Sequence, residues 1–217
     1  MKGNPTAFLF LIQCIIAIFV ILNPFGNIPL VLSFTSGSDR SRRNHVILRS
    51  SITALIILFI FALIGQFLFN LFHITIGAFR IAGGILLFTI SLSMLYGERS
   101  KAKITSDEVA EATTKEDVAV TPLGIPLMAG PGAIATVISL MDQAHHWWPD
   151  KILVLFSIPL AVIVGYYVLR LGSPIMTLVG ESGLRVTTRI MGLILAVIAV
   201  QFVINGVHDA LPQILHR

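Results

Sequence analysis

The sequence predicts an all-α membrane protein of six transmembrane helices, built as a 3+3 inverted-topology repeat with helices 1 and 4 interrupted at the midplane. Three observations lead to this fold. First, 55% of the 217 residues are hydrophobic and only 12% are charged, which leaves too little polar surface for a domain surrounded by water. Second, six long apolar segments follow one another along the chain. Third, two stretches of the first half recur in the second half.

Each of the six apolar segments is long enough, at about 20 residues, to span a bilayer. They run from Ala7 to Phe34, Ser51 to Phe72, Phe79 to Tyr96, Thr121 to Met141, Ile152 to Leu171 and Thr187 to Val207. The first segment has no convincing signal-peptide cleavage site, so we expect it to be a retained helix. Residues 98–120 form a charged linker, which divides a first repeat at 1–97 from a second at 121–217.

The basic residues indicate how the chain is oriented. Of the 15 Lys and Arg, 11 lie in or beside the first, third and fifth loops. The positive-inside rule places these loops in the cytoplasm and both termini outside, on the periplasmic or extracellular face. In such a chain the net charge of +4 orients helices in lipid, so we expect membrane lipid and no nucleic acid among its partners.

Two sequence matches relate the halves. Residues 80–83, Arg-Ile-Ala-Gly, correspond to residues 189–192, Arg-Ile-Met-Gly, and residues 26–34 resemble residues 132–140. With three helices in each half, the second half enters the membrane inverted, which is characteristic of secondary transporters whose site lies at the repeat interface. The alternative is chance similarity between apolar segments that share a small alphabet.

Proline and glycine interrupt the first and fourth segments at corresponding places. Residues 23–29 read NPFGNIP and residues 122–132 read PLGIPLMAGPG, which should break both helices. Broken backbone survives in a bilayer only inside the protein or against a watery cavity. We therefore predict that a substrate site is formed by Asn23, Pro24, Gly26, Asn27, Pro126, Gly130, Pro131, Gly132 and Thr136.

The exposed helix ends at these breaks suit a particular kind of solute. An N-terminal end offers free N–H groups and partial positive charge to a carboxylate, whereas freed carbonyls suit an ammonium group or a sodium ion. The expected partner is accordingly a small zwitterionic solute. The alternative is that the breaks are kinks without a binding role, since kinks are common in membrane helices.

One arginine begins the third helix of each half. Arg80 and Arg189 are candidates for a gate or an anion anchor that reaches a substrate carboxylate. The alternative is that both extend to the lipid headgroups. All acidic residues lie in loops or at helix ends, so the usual buried proton relay is missing and the coupling ion, Na⁺ or H⁺, stays open.

The sequence also lacks the motifs of other chemistries. We find no P-loop, no HExxH pair and no nucleophile constellation, so we expect neither an enzyme nor a bound metal or cofactor. Gly83, Gly84 and Gly192 allow close helix packing, either within one chain or in a homo-oligomer.

Four stretches of the chain, in order, resemble the MarC family of bacterial inner-membrane proteins: residues 23–29, 79–85, 122–132 and 189–193. The resemblance implies six helices, a location in the bacterial inner membrane and a three-plus-three plan similar to that of the lysine-exporter superfamily. It also implies transport of small neutral amino acids such as alanine, glycine or serine. The leading hypothesis is therefore an alternating-access transporter or exporter. A channel for a small solute or anion and a non-transporting scaffold are the alternatives.

Overall fold

The computed structural model describes residues 7–35, 37, 39–96, 128–144 and 148–215. Within these residues the regular structure is entirely helical. The helices are α1 (Ala7–Leu22), α2 (Pro24–Phe34), α3 (Arg40–Phe72), α4 (Ile76–Tyr96), α5 (Pro131–Gln143), α6 (Trp148–Arg170) and α7 (Gly172–Leu215). The all-α prediction is thereby confirmed for the part of the chain that is described.

Five stretches of the described chain are long and apolar enough to cross a membrane: α1 with α2, then α3, α4, α6 and α7. The predicted fourth segment is represented by α5 and the few residues before it. Its beginning at 121–127 and the predicted linker at 98–120 lie outside the described residues. The six-helix inverted repeat therefore stays a prediction, whereas the multi-pass membrane class is established.

Two helices extend well beyond the apolar segments, and here the predicted loops were wrong. α3 begins at Arg40 rather than Ser51, because the Asp39 carboxylate accepts the Arg42 N–H at 2.9 Å and caps the helix. α7 begins at Gly172 rather than Thr187, with one interruption at Gly180, whose φ of 70° is favourable only for glycine. A hydrophobic segment predicts only the part of a helix that lies inside lipid, because helical turns that continue into water carry polar residues.

The bundle packs around residues from most of its helices. α1 lies against α6, α3 against α5 and α6, and α5 also against α4. Leu58, Leu87 and Ile158 are fully buried between these helices, while large apolar side chains such as Phe67 and Val197 are exposed on the outside. An apolar exterior of this kind matches a hydrocarbon surrounding rather than water.

The closest helix pair is formed by α4 and α7, which run antiparallel. A Cβ atom on Gly77 would lie 2.8 Å from the Gly206 carbonyl oxygen, and one on Gly84 would lie 2.7 Å from the carbonyl oxygen of Ala199. No side chain fits at such distances, so glycine is required for the two backbones to touch. This contact fixes which residues of α4 and α7 face each other.

We predict that Gly206→Ala destabilises the protein by about 1–3 kcal/mol, because the new methyl group meets the Gly77 backbone at 2.7 Å. The matched control is Gly165→Ala on α6, where a Cβ would find only ordinary contacts at 3.9 Å. Thermal unfolding of purified protein in detergent measures both. A lower melting temperature for Gly206→Ala alone is expected, and equal losses in the two variants would contradict the packing argument.

Candidate functional site

The first predicted break lies between α1 and α2 and is confirmed. Asn23 adopts the left-handed conformation (φ 46°, ψ 56°), which asparagine tolerates better than most residues, and Pro24 follows without an N–H group. The Asn23 side-chain oxygen accepts the Gly26 N–H at 3.2 Å, and the Asn27 amide donates to the Leu22 carbonyl at 3.0 Å. Both asparagines are buried, and their amides satisfy backbone groups that the break releases.

The second predicted break precedes α5. Gly130 is extended (φ −63°, ψ 171°), and α5 begins directly after it at Pro131. The Gly130 carbonyl accepts the N–H groups of Ala133 and Ile134, and none of the described side chains caps this helix end. The α5 N-terminus therefore differs from that of α2, which a side chain caps. Pro126, also predicted at this break, lies outside the described residues.

The two breaks lie close to each other. A Cβ atom on Gly165 of α6 would be 3.9 Å both from Pro24 Cβ at the first break and from Met128 Cε at the second. A Cβ atom on Gly132 would be 3.6 Å from Cγ2 of Ile21, the penultimate residue of α1. The structure thus brings the described parts of the two predicted segments together.

A polar stripe connects the second break to one end of the bundle. Gly132, Thr136, Ser139 and Asp142 follow one another on one face of α5, over about 15 Å of helix. Thr136 and Ser139 are 2% and 3% exposed, and the Thr136 hydroxyl donates to the Gly132 carbonyl at 2.9 Å. Thr136 and Ser139 therefore form a buried polar stripe on α5 that ends at Asp142.

Arg80 lies at the far end of this stripe, in a group that we call the Arg80 cluster (Arg80, Ser139, Asp142 and Asp209). Its Nη2 donates to Asp142 at 3.0 Å, its Nη1 to Asp209, and its Nε to the Ser139 hydroxyl at 3.1 Å. The cluster joins the beginning of α4 to the ends of α5 and α7.

Electrostatics explains why these residues stay together. Arg80 is 8% exposed, and a buried charge is costly unless it is paired and hydrogen-bonded. All three nitrogen atoms of the guanidinium have a partner, and two carboxylates share the one positive charge. The Asp142 and Asp209 side chains keep 23% and 34% exposure, so the cluster reaches the surface of the bundle on its outer side.

Arg189, the predicted counterpart of Arg80, has a different environment. It is exposed on α7, and no ion pair joins it to another residue that the structure describes. It precedes Asp209 by 20 residues, about 30 Å along the helix, so it belongs to the other side of the bundle. Its role as a gate or anchor stays a prediction.

Asp209 and its ion pair with Arg80 were missed at the sequence level. A signal exists in the glycine spacing, because Arg80 follows Gly77 by three residues and Asp209 follows Gly206 by three. Because the helices run antiparallel, the two residues lie on opposite sides of this glycine contact, each about 4.5 Å from it along its own helix, and the long Arg80 side chain reaches across to Asp209. Glycine contacts between helices are not visible until the helix pairing is known.

Five long apolar helical stretches with an apolar exterior, together with a charged cluster at one end of the bundle, define a multi-pass integral membrane protein. The MarC family integral membrane protein model matches residues 8–211, and the chain belongs to this family. It is 41% identical over 195 residues to a UPF0056 membrane protein of Methanocaldococcus jannaschii, covering 90% of this chain and 94% of the relative.

Bacterial relatives are similar over equally long stretches. The UPF0056 membrane protein YvbG of Bacillus subtilis is 35% identical, with 94% of this chain and 97% of the relative covered. For YhcE of Escherichia coli the identity is 35% and both coverages are 93%. The family is thus present in archaea as well as in bacteria. No solved structure matches the chain.

We predict that Arg80→Gln costs about 3 kcal/mol of stability, because it leaves two neighbouring carboxylates without their cation. Arg189→Gln removes the same charge from the exposed matched position and should stay within about 0.5 kcal/mol of the wild type. Melting temperatures of the two variants and the wild type, measured in detergent at equal protein concentration, test this difference. If both variants melt together with the wild type, Arg80 does not stabilise the bundle.

At the first break, we predict that Asn23→Ala lowers stability by about 1 kcal/mol, since alanine neither accepts the Gly26 N–H nor favours a left-handed backbone. Asn23→Gly should cost only a few tenths of a kcal/mol, because glycine tolerates both the cap position and the positive φ. Thermal unfolding of the two variants tests this order. The reverse order would show that the capping bond and backbone conformation are not what Asn23 contributes.

Proposed function

We propose that this membrane protein is a secondary transporter or exporter of small neutral amino acids that works by alternating access. The observation that carries the proposal is the meeting of two buried helix breaks in one place. Non-helical backbone within a bilayer is tolerated where it is enclosed by protein or lines a cavity. Two interruptions in corresponding segments are the best indicator of a transporter binding site.

The chemistry of the two breaks suits a zwitterion. Among the described residues no side chain caps the N-terminus of α5; the Ala133 and Ile134 N–H groups bond to the Gly130 carbonyl, so the Gly132 N–H and the helix dipole are what this end offers a carboxylate. The end of α1 presents carbonyl groups, one of which accepts the Asn27 amide at 3.0 Å, and an ammonium group is a suitable competitor for that bond. A solute of opposite charges a few ångströms apart would satisfy both ends.

The surroundings favour a small solute with a short side chain. Gly26, Gly130 and Gly132 carry no side chains, and Cβ atoms at Gly26 and Gly132 would collide with neighbours. The Met94 sulfur lies 3.4 Å from the Asn23 amide, and methionine side chains adapt readily to a ligand. The choice of neutral amino acids, such as alanine, glycine or serine, depends on the resemblance to MarC-type transporters.

Alternating access would follow from the repeat that the sequence predicts. Two similar halves in opposite orientation provide two states of similar energy, one open to each side. The polar stripe of α5 supplies a route from the breaks to the Arg80 cluster. The proposal includes an inner-membrane location with both termini outside. It leaves the direction of transport open, and the coupling ion open between Na⁺ and H⁺.

Counterflow in proteoliposomes tests the proposal. With unlabelled alanine, glycine or serine inside, we expect saturable accumulation of the labelled amino acid. Asn23→Gly and Thr136→Val should each reduce the rate about tenfold, because they remove polar groups at the breaks while sparing the fold. The matched control is Thr89→Val on α4, since Thr89 is exposed and makes the same bond to a carbonyl four residues earlier, at 3.0 Å.

Other outcomes of this experiment would contradict parts of the proposal. Flux that does not saturate and shows no counterflow would favour a channel on the same breaks. No flux with any of these amino acids, from protein that is monodisperse and melts like the wild type, would remove the amino-acid proposal. Equal losses in Thr136→Val and Thr89→Val would show that the polar stripe has no special role.

A further inference from the structure

We propose that the Arg80 cluster is the gate that closes the route along the polar stripe on one side of the bundle. Asp209 is the permanent partner of Arg80. Asp142 and Ser139 are the partners that separate when the gate opens. The proposal rests on the proposed transport function and decides between the two roles that the sequence left open for Arg80.

Arg80 and Asp209 belong to one rigid unit. The backbones of α4 and α7 touch at Gly77 with Gly206 and at Gly84 with Ala199. Any sliding of one helix along the other would force carbonyl groups into side chains, so this pair moves as a body. The ion pair between Arg80 and Asp209 lies inside the unit and is preserved when other helices move.

Asp142 and Ser139 belong to α5, which is held differently. α5 follows the extended Gly130, and within the described part of the chain no side chain caps it there, so its inner end is a natural pivot. Asp142 lies 12 residues beyond that end, about 18 Å along the helix. A rotation of about 10° there moves the outer end by about 3 Å, which is enough to break the 3.0 Å contact between Arg80 and Asp142.

The hydrogen bonds of Arg80 argue against an anion anchor in this state. Its Nε, Nη1 and Nη2 atoms each donate to a partner already, to Ser139, Asp209 and Asp142 respectively. A substrate carboxylate would be a third negative charge beside a single guanidinium, so its binding there would be opposed by both aspartates. The second aspartate has a clear use in a gate, because Asp209 keeps the buried guanidinium paired when Asp142 departs and so avoids an unpaired charge.

The gate can be tested without any substrate, by accessibility of a cysteine behind it. Cys14 is the single cysteine of the chain and is fully buried, so Cys14→Ser gives a background without thiols. Thr136→Cys then introduces a reporter two helical turns inward from Asp142 on the polar stripe. A membrane-impermeant methanethiosulfonate is applied to intact cells and to inverted vesicles, and the labelling rate is measured from each face.

Only the loss of Asp142 should accelerate labelling from the face of the cluster, and the loss of Asp209 should not. Asp142→Asn weakens the closed state and should raise the rate about tenfold, and Ser139→Ala should raise it less. Asp209→Asn leaves Asp142 as the only carboxylate partner, so opening exposes an unpaired charge and the rate should stay equal or fall. Asp150→Asn, which changes a partly buried acid at the start of α6, is the matched control and should not change the rate.

A merely structural cluster would respond differently. Equal acceleration by Asp142→Asn and Asp209→Asn, in protein of unchanged elution profile, would mean that the cluster only stabilises the fold and would overturn the proposal. No acceleration by Asp142→Asn or Ser139→Ala would overturn it as well. If Asp142→Asn does not fold, Asp142→Glu retains the charge, and displaced geometry alone should then accelerate labelling. Acceleration by Asp142→Asn but not by Asp209→Asn, without counterflow of any amino acid, would retain the gate and reject the proposed substrate.

Discussion

The absence of water in the bilayer core is the constraint on which the rest of this structure depends. Every backbone N–H and C=O group there needs a hydrogen-bond partner within the protein. Proline and glycine at the breaks interrupt the regular helical hydrogen bonds. Asn23 and Asn27 supply replacements from their side chains, at 3.2 and 3.0 Å. Enclosing both breaks in one region limits the cost of irregular backbone to a single place.

The same constraint applies more strongly to charge. Arg80 is buried within the second turn of α4, where an unpaired guanidinium would be far more costly than an unpaired amide. Its partners come from the ends of α5 and α7, so satisfying one charge fixes the relative positions of three helices. The close glycine contacts of α4 with α7 hold Asp209 in place, whereas α5 contacts α4 through side chains such as Leu87 against Gly132. Backbone contacts on one side and side-chain contacts on the other thus meet around a single arginine.

The sequence was sufficient to predict the two helix breaks, but it was not sufficient to predict which helices pack together or which side chains pair with Arg80. Both breaks were predictable, because Asn23 before Pro24 and Gly130 before Pro131 disfavour a continuous helix through local sterics alone. The ends of α3 and α7 were not, because polar helical turns outside lipid carry no hydrophobic signal. The partners of Arg80 lie 62 and 129 residues away in sequence, and only helix packing brings them together.

Matching sequence positions need not imply matching interactions, and the two halves of this chain illustrate why. Arg80 and Arg189 begin similar motifs, yet one is buried among carboxylates and the other is exposed. Ser139 receives a hydrogen bond from Arg80, whereas Ser33, at the corresponding position of α2, is exposed. The glycine and proline positions that the two halves share do not fix the polar partners of either half. A buried charge paired with carboxylates, as at Arg80, and an exposed charge, as at Arg189, therefore respond differently to substitution.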